Sequence, residues 1–99
     1  MNHEDVAMQI LLQLKEDQHK GNRFERPYGV TMTGLVENVR ASKGVTSIVV
    51  NNLLRSGFID YDVSHPVKDK VVLKQRVRCY RITINGVREL QRMVEEVTA

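Results

Sequence analysis

Residues 42–59 read SKGVTSIVVNNLLRSGFI, and the order of side chains in this run decides the fold. Val45, Val49, Val50, Leu53 and Leu54 recur in steps of three and four, which places them on one side of a helix. Ser42 stands before them as an N-cap, its hydroxyl available to a free backbone N–H. Gly57 follows as a left-handed C-terminal cap, where a side chain would clash. The spacing predicts a helix over 43–56. Phe58 and Ile59 lead into the core, and Ile59, Tyr61 and Val63 then alternate with Asp60 and Asp62, the pattern of a half-buried strand.

Working upstream, Ala41-Ser42 reads as a turn and Thr31 as the cap of a preceding helix over 32–40, with Val30 and Leu35 as a hydrophobic staple. That helix buries Leu35, Val36 and Val39. Tyr28 and Val30 allow a very short strand, and residues 18–26, with no apolar period, read as a loop. Val6, Ala7, Ile10, Leu11 and Leu14 predict a first helix over 4–17 capped by Asn2. Met8 and Leu12 widen its apolar face towards a second subunit. Gly34 and Gly44 sit early in helices, each costing on the order of 1 kcal/mol relative to Ala.

Downstream, His65-Pro66 is a turn signal, and Val71-Val72-Leu73 either extends a hairpin or folds onto it. The hairpin spans 59–82. Tyr61 and Tyr80 are placed to pair across its strands, and Arg81 to pair with Asp60 or Asp62. Thr83 caps a last helix over 84–97 whose apolar positions, Val87, Leu90, Val94 and Val97, also fit a heptad seam.

The chain has 99 residues and a net charge of +3, the size and composition of one ordinary domain, here 1–99. The charge is uneven: residues 1–42 sum to −1, residues 43–82 to +5 and residues 83–99 to −1. A positive middle is where a nucleic-acid surface would need it. A lone cysteine, Cys79, excludes an internal disulfide, and His3, His19 and His65 lack metal-ligand spacing, so neither metal nor cofactor is expected. No apolar run reaches the ~20 residues that span a bilayer, and the N-terminus lacks a signal peptide's basic residues, so a cytoplasmic protein is expected. No phosphate-cradling glycine loop and no nucleophile–base pair occurs, which argues against an enzyme.

The segment from Thr31 to Ile59, with Ser42-x-x-x-x-Ser47 and Leu53-x-x-x-Gly57-Phe58-Ile59, resembles the helix-turn-helix and exit of winged-helix transcription regulators. Tyr80-Arg81-Ile82-Thr83-x-x-Gly86 is similar to the Tyr-x-Leu-Thr-x-x-Gly closing motif of MarR- and PadR-type regulators and small archaeal relatives. The resemblance covers about half the chain. It implies an α+β winged helix-turn-helix: a three-helix core, a β-hairpin wing with a long tip, and a C-terminal helix for dimerisation. It further implies a homodimer that binds double-stranded DNA, with the third helix in the major groove. The expected subunit contact uses Leu11, Val87, Leu90, Val94 and Val97.

The chemistry agrees with that expectation. A helix N-terminus offers free N–H groups and partial positive charge to phosphate, and Lys43 adds a full charge there. Gly44 removes bulk where a base edge or backbone approaches. Asn51 has the bidentate amide that reads adenine, and Ser47 one turn earlier donates or accepts. Ile48 is open to two readings, contact with a thymine methyl or completion of the core. Thr31, Ser42 and Thr46 complete the candidate contacts of the helix-turn-helix. Lys68, Lys70, Lys74, Arg76 and Arg78 are those of the wing, although exposed strands also favour lysine to resist edge pairing. The competing reading is a winged-helix protein–protein interaction module without DNA binding, since fold does not fix function. No effector pocket is recognisable in the sequence.

Overall fold

The computed structural model describes residues 2–18 and 25–98. His19 and Phe24 lie outside that range, as does most of the stretch read as a loop. The described elements are α1 (His3–Asp17), β1 (Glu25–Pro27), a 3-10 turn (Tyr28–Val30), α2 (Met32–Asn38), α3 (Lys43–Arg55), β2 (Ile59–Lys68), β3 (Val71–Val72), β4 (Val77–Ile82) and α4 (Ile84–Thr98).

All four described α-helices start on a capping side chain. Asn2 Oδ1 accepts from Asp5 N at 2.8 Å, and Thr31 Oγ1, Ser42 Oγ and Thr83 Oγ1 each accept at 3.1 Å from Gly34, Val45 and Gly86 N. Each cap satisfies one of the N–H groups that a helix leaves free in its first turn. At the other end of α3, Phe58 N donates to Leu53 O and Gly57 N to Leu54 O, a Schellman closure with Gly57 at φ +75°. One core joins the elements: Val6, Ile10, Leu11 and Leu14 of α1 meet Leu35, Val50, Ile59, Cys79 and Leu90, all buried. Burial and the charge of Asp62 push the Cys79 thiol pKa up, which keeps it protonated.

Three local readings need correction. Tyr28–Val30 is a 3-10 turn, and the short strand lies earlier, at Glu25–Pro27. Arg26 precedes a proline and is thereby driven to extended backbone, while Pro27, with no N–H to donate, tolerates an edge strand. Helix α2 stops at Asn38, because Val39 turns extended (φ −94°, ψ 129°) and drops its side chain into the core. Val36 is only half-buried. His65-Pro66 is no turn but the middle of β2: Pro66 is buried and its carbonyl accepts from Leu73 N at 2.8 Å.

β2 is therefore long, and it pairs with three strands. Its first half runs antiparallel to β4 from Ile59↔Ile82 to Ser64↔Val77. Its second half lies between β1, parallel through Arg26↔Pro66, and β3, antiparallel through Val67↔Val72. Of the two readings of Val71-Val72-Leu73, the hairpin extension is the one found. The chain leaves β1 on one edge of β2 and reaches Thr31, which bridges Cys79 on β4. The 3-10 turn must therefore cross one face of the hairpin. Arg26 and Tyr28 hold this crossing from below: Arg26 Nη2 donates to Tyr80 O at 3.4 Å, and Lys68 Nζ sits 4.6 Å above the Tyr28 ring.

Two glycines are set by close approach. A Cβ on Gly34 would lie 2.1 Å from Tyr28 O, and one on Gly86 would lie 2.0 Å from Phe58 O. The helix-propensity cost at Gly34 is the condition for seating α2 on the 3-10 turn. Gly44 has no such neighbour within 4 Å.

Candidate nucleic-acid interface

Helix α3 buries Thr46, Val49, Val50 and Leu53 on one side. At ~100° per residue, Gly44, Ile48, Asn51 and Arg55 fall within a stripe about 60° wide on the opposite side. Lys43, Gly44, Ile48, Asn51, Asn52 and Arg55 are all exposed, and Ser47 is half-buried at the flank. Ile48 is 51% exposed, which decides between its two readings in favour of the outward face.

Two expected contacts are placed elsewhere. Thr46 is 0% exposed, and its hydroxyl donates to Ser42 O at 2.9 Å. Thr31 is buried, and its hydroxyl both donates to Tyr28 O and accepts from Gly34 N. Both hydroxyls are consumed in helix starts, which removes these residues from a contact surface. Ser42 is exposed, with its Oγ engaged as the cap. The sequence reading left Asn52 and Arg55 out of the contact set. The phase of the buried side, fixed only once its packing is known, places Arg55 in the outward stripe, and Asn52 is exposed beside it.

The wing ends in a two-residue turn, Asp69 (φ 52°) and Lys70 (φ 66°), the left-handed pair that matches the twist of a tight hairpin. Extending the β2–β3 register sets Lys74 opposite His65, whereas extending the β2–β4 register sets Arg76 opposite His65. The two registers are thus offset by two residues, and the return strand takes up the difference as a bulge over Lys74–Arg76, between β3 and β4. Lys68, Lys70, Lys74, Arg76 and Arg78 are all exposed. Arg78 lies 4.4 Å above the Tyr61 ring, whose edge meets Tyr80 with centroids 6.1 Å apart. His65 Nδ1 lies 3.1 Å from Leu73 O, which makes this histidine a half-buried part of the wing.

The described ion pairs sort the cations into two groups. Arg81 reaches Asp60 at 2.9 Å and Asp62 at 3.6 Å, Arg26 reaches Asp62 at 3.9 Å, and Arg92 pairs with Glu89 and Glu96. Among the described residues, no carboxylate pairs with Lys43, Arg55 or any of the five wing cations. The acids of these ion pairs lie at the base of the hairpin and on α4, while Asp69 sits at the wing tip with no described ion pair. Most of the cations without a carboxylate partner lie on the wing and α3; Lys15, Arg40 and Arg88 are the others among the described residues.

Between the underside of the wing and the start of α2 is a half-open cleft of about 640 Å³, lined by Met32, Pro66, Leu73 and Val77 with Lys74 and Arg78 at its margin. The described residues contain no group of three or more His, Cys, Asp or Glu side chains able to hold a metal ion. No described helix is long and apolar enough to cross a membrane.

The expected subunit contact also divides. Leu11 is 0% and Leu90 3% exposed, both inside the chain's own core, in which α1 packs against α4. They are corrected to core residues. Val87 is half-buried, while Val94 and Val97 are exposed.

Solved structures share this arrangement. A mutant of MepR from a multidrug-resistant S. aureus clinical isolate is 15% identical, with a TM-score of 0.66 over 94% of this chain and 56% of the MepR chain. AF1382 from Archaeoglobus fulgidus is 9% identical, with a TM-score of 0.61 over 99% of this chain and 88% of its own. The fold is a winged helix-turn-helix. The chain thus spans little more than half the length of MepR. No protein-family model matches the sequence. Nor does any curated protein match it.

Proposed function

We propose that this chain is a sequence-specific double-stranded DNA-binding protein acting as a transcription regulator. Helix α3 would enter the major groove, and the wing would lie on phosphates or in the minor groove. The observation that carries this reading is the distribution of charge: among the described residues, seven cations without a carboxylate partner lie on α3 and the wing, against three elsewhere, Lys15, Arg40 and Arg88. Phosphate neutralisation needs cations whose charge no carboxylate already cancels, and an outward helix side bearing amides and a hydroxyl supplies base-edge chemistry. Selection of bound sequences from random duplex DNA tests the reading. Enrichment of a defined motif supports it, and recovery of unenriched DNA at every salt concentration rejects it.

Within that motif, Asn51→Ala is expected to relax preference at one base pair by about 1–3 kcal/mol while leaving binding to non-specific DNA unchanged. Competition binding with single-pair variants of the selected site measures this.

The proposed subunit contact keeps Val87, Val94 and Val97 and adds Ile84 and Leu12, which are large, apolar and exposed. Ile84, Val87 and Val94 follow a spacing of three and seven along one side of α4, a short apolar seam. Two copies would set their α3 helices ~34 Å apart, or a multiple of that, on a two-fold symmetric site. Sedimentation at micromolar concentration should give twice the chain mass, and Val94→Asp should return it to one. A wild-type monomer under those conditions removes the dimer from the proposal.

A further inference from the structure

The outward side of α3 contains one aliphatic side chain among hydrogen-bonding ones. Ile48 is 51% exposed, with Ser47, Asn51 and Asn52 around it. Four residues before it, Gly44 leaves bare backbone, and a Cβ there would touch nothing within 4 Å. Helical side chains lean towards the helix N-terminus, so Ile48 borders this open notch. A side chain aimed only at water would serve better as a polar residue. One aimed at a major groove meets a surface whose apolar feature is the 5-methyl group of thymine.

Resting on the DNA-binding reading above, we infer that Ile48 reads a thymine methyl next to the adenine read by Asn51, and that the bound site contains A·T pairs at this point. Residues three apart on a helix are separated by ~4.5 Å along its axis, close to one base-pair step. In the major groove an A·T pair presents adenine's N6 and N7 beside thymine's methyl, so an amide and an aliphatic side chain at this spacing address the two halves of the same or adjacent pairs. The methyl would enter the notch at Gly44 and lose its water against Ile48.

The experiment removes the methyl without altering base pairing. In the duplex obtained by selection, each thymine is replaced in turn by deoxyuridine, and affinities are measured for the wild-type chain and Ile48→Ala. The wild type should lose affinity about fourfold at one thymine per half-site, the worth of one buried methyl group. Ile48→Ala should bind the thymine and uracil duplexes equally while keeping its preference for the Asn51-dependent adenine. Equal wild-type affinity for thymine and uracil at every position overturns the inference and leaves DNA binding standing. Discrimination that persists in Ile48→Ala also overturns it. Failure to bind either duplex overturns the DNA-binding reading and this inference together. Because Ile48 is exposed, unchanged thermal unfolding of Ile48→Ala confirms that the comparison is between folded proteins.

Discussion

Gly86→Ala is expected to lower the unfolding free energy by about 3 kcal/mol, the upper end of what overpacking a closed site costs. The added Cβ would stand 2.0 Å from Phe58 O and 2.7 Å from the Ile82 side chain. Backbone cannot swing aside as a flexible side chain can, so the whole start of α4 has to lift. That movement would stretch the bonds that seat the helix: Thr83 N donates to Phe58 O at 3.0 Å, and Thr83 Oγ1 donates to Gly57 O at 2.6 Å. Gly57 and Phe58 also close α3, so the disturbance would reach the end of that helix. In a small domain with roughly 5–15 kcal/mol of total stability this loss is severe. Gly44→Ala is the control. With no neighbour within 4 Å, it should stabilise the helix by up to about 1 kcal/mol through propensity alone. Urea unfolding of both variants, read from the shift in midpoint at constant slope, checks the opposite signs.

The second large effect concerns binding. Replacing Lys70, Lys74 and Arg76 together by alanine is expected to weaken DNA affinity roughly a hundredfold at ~0.15 M salt, with the difference fading towards 1 M. Each phosphate neutralised contributes about 0.9 to the slope of log affinity against log salt, so three lost contacts flatten the slope by nearly three units. The size depends on these cations being uncompensated, as they are among the described residues. Arg81→Ala should do far less to the slope, because Arg81 is already paired with Asp60 and Asp62. Titrations at four or more salt concentrations give the slopes directly. An unchanged slope in the triple variant would show that the hairpin does not touch phosphate.

The helices were legible because each announces itself locally: a capping side chain at Asn2, Thr31, Ser42 or Thr83, followed by apolar residues in steps of three and four. The Gly57 closure of α3 was legible for the same reason. What the sequence hid was partnership. Leu11 and Leu90 are apolar whether they face their own core or a second copy, and only the packing of α1 on α4 assigns them. Thr31 and Thr46 have the hydroxyls of contact residues, but neighbouring backbone groups engage both. Pro66 signals a turn in isolation, yet here it needs only its carbonyl for pairing. β1 has three residues and no alternation to display, so the extended bias of Arg26 before Pro27 was its single trace. In the candidate site, Lys43 and Asn51 follow from helix phase and chemistry. The bulge at Lys74–Arg76, by contrast, exists only as a mismatch between two strand registers.

The crossing of residues 25–31 beneath the hairpin gives the wing a mechanical property. A free hairpin would have to surrender conformational freedom when it docks, and that loss would subtract from whatever it grips. This one is already tethered, through Arg26 to the β4 backbone and through Tyr28 to Lys68 near its tip. Its side chains meet a ligand from a fixed platform, so capture should resemble the seating of a rigid tool, quick to engage and sensitive to the ligand's own shape.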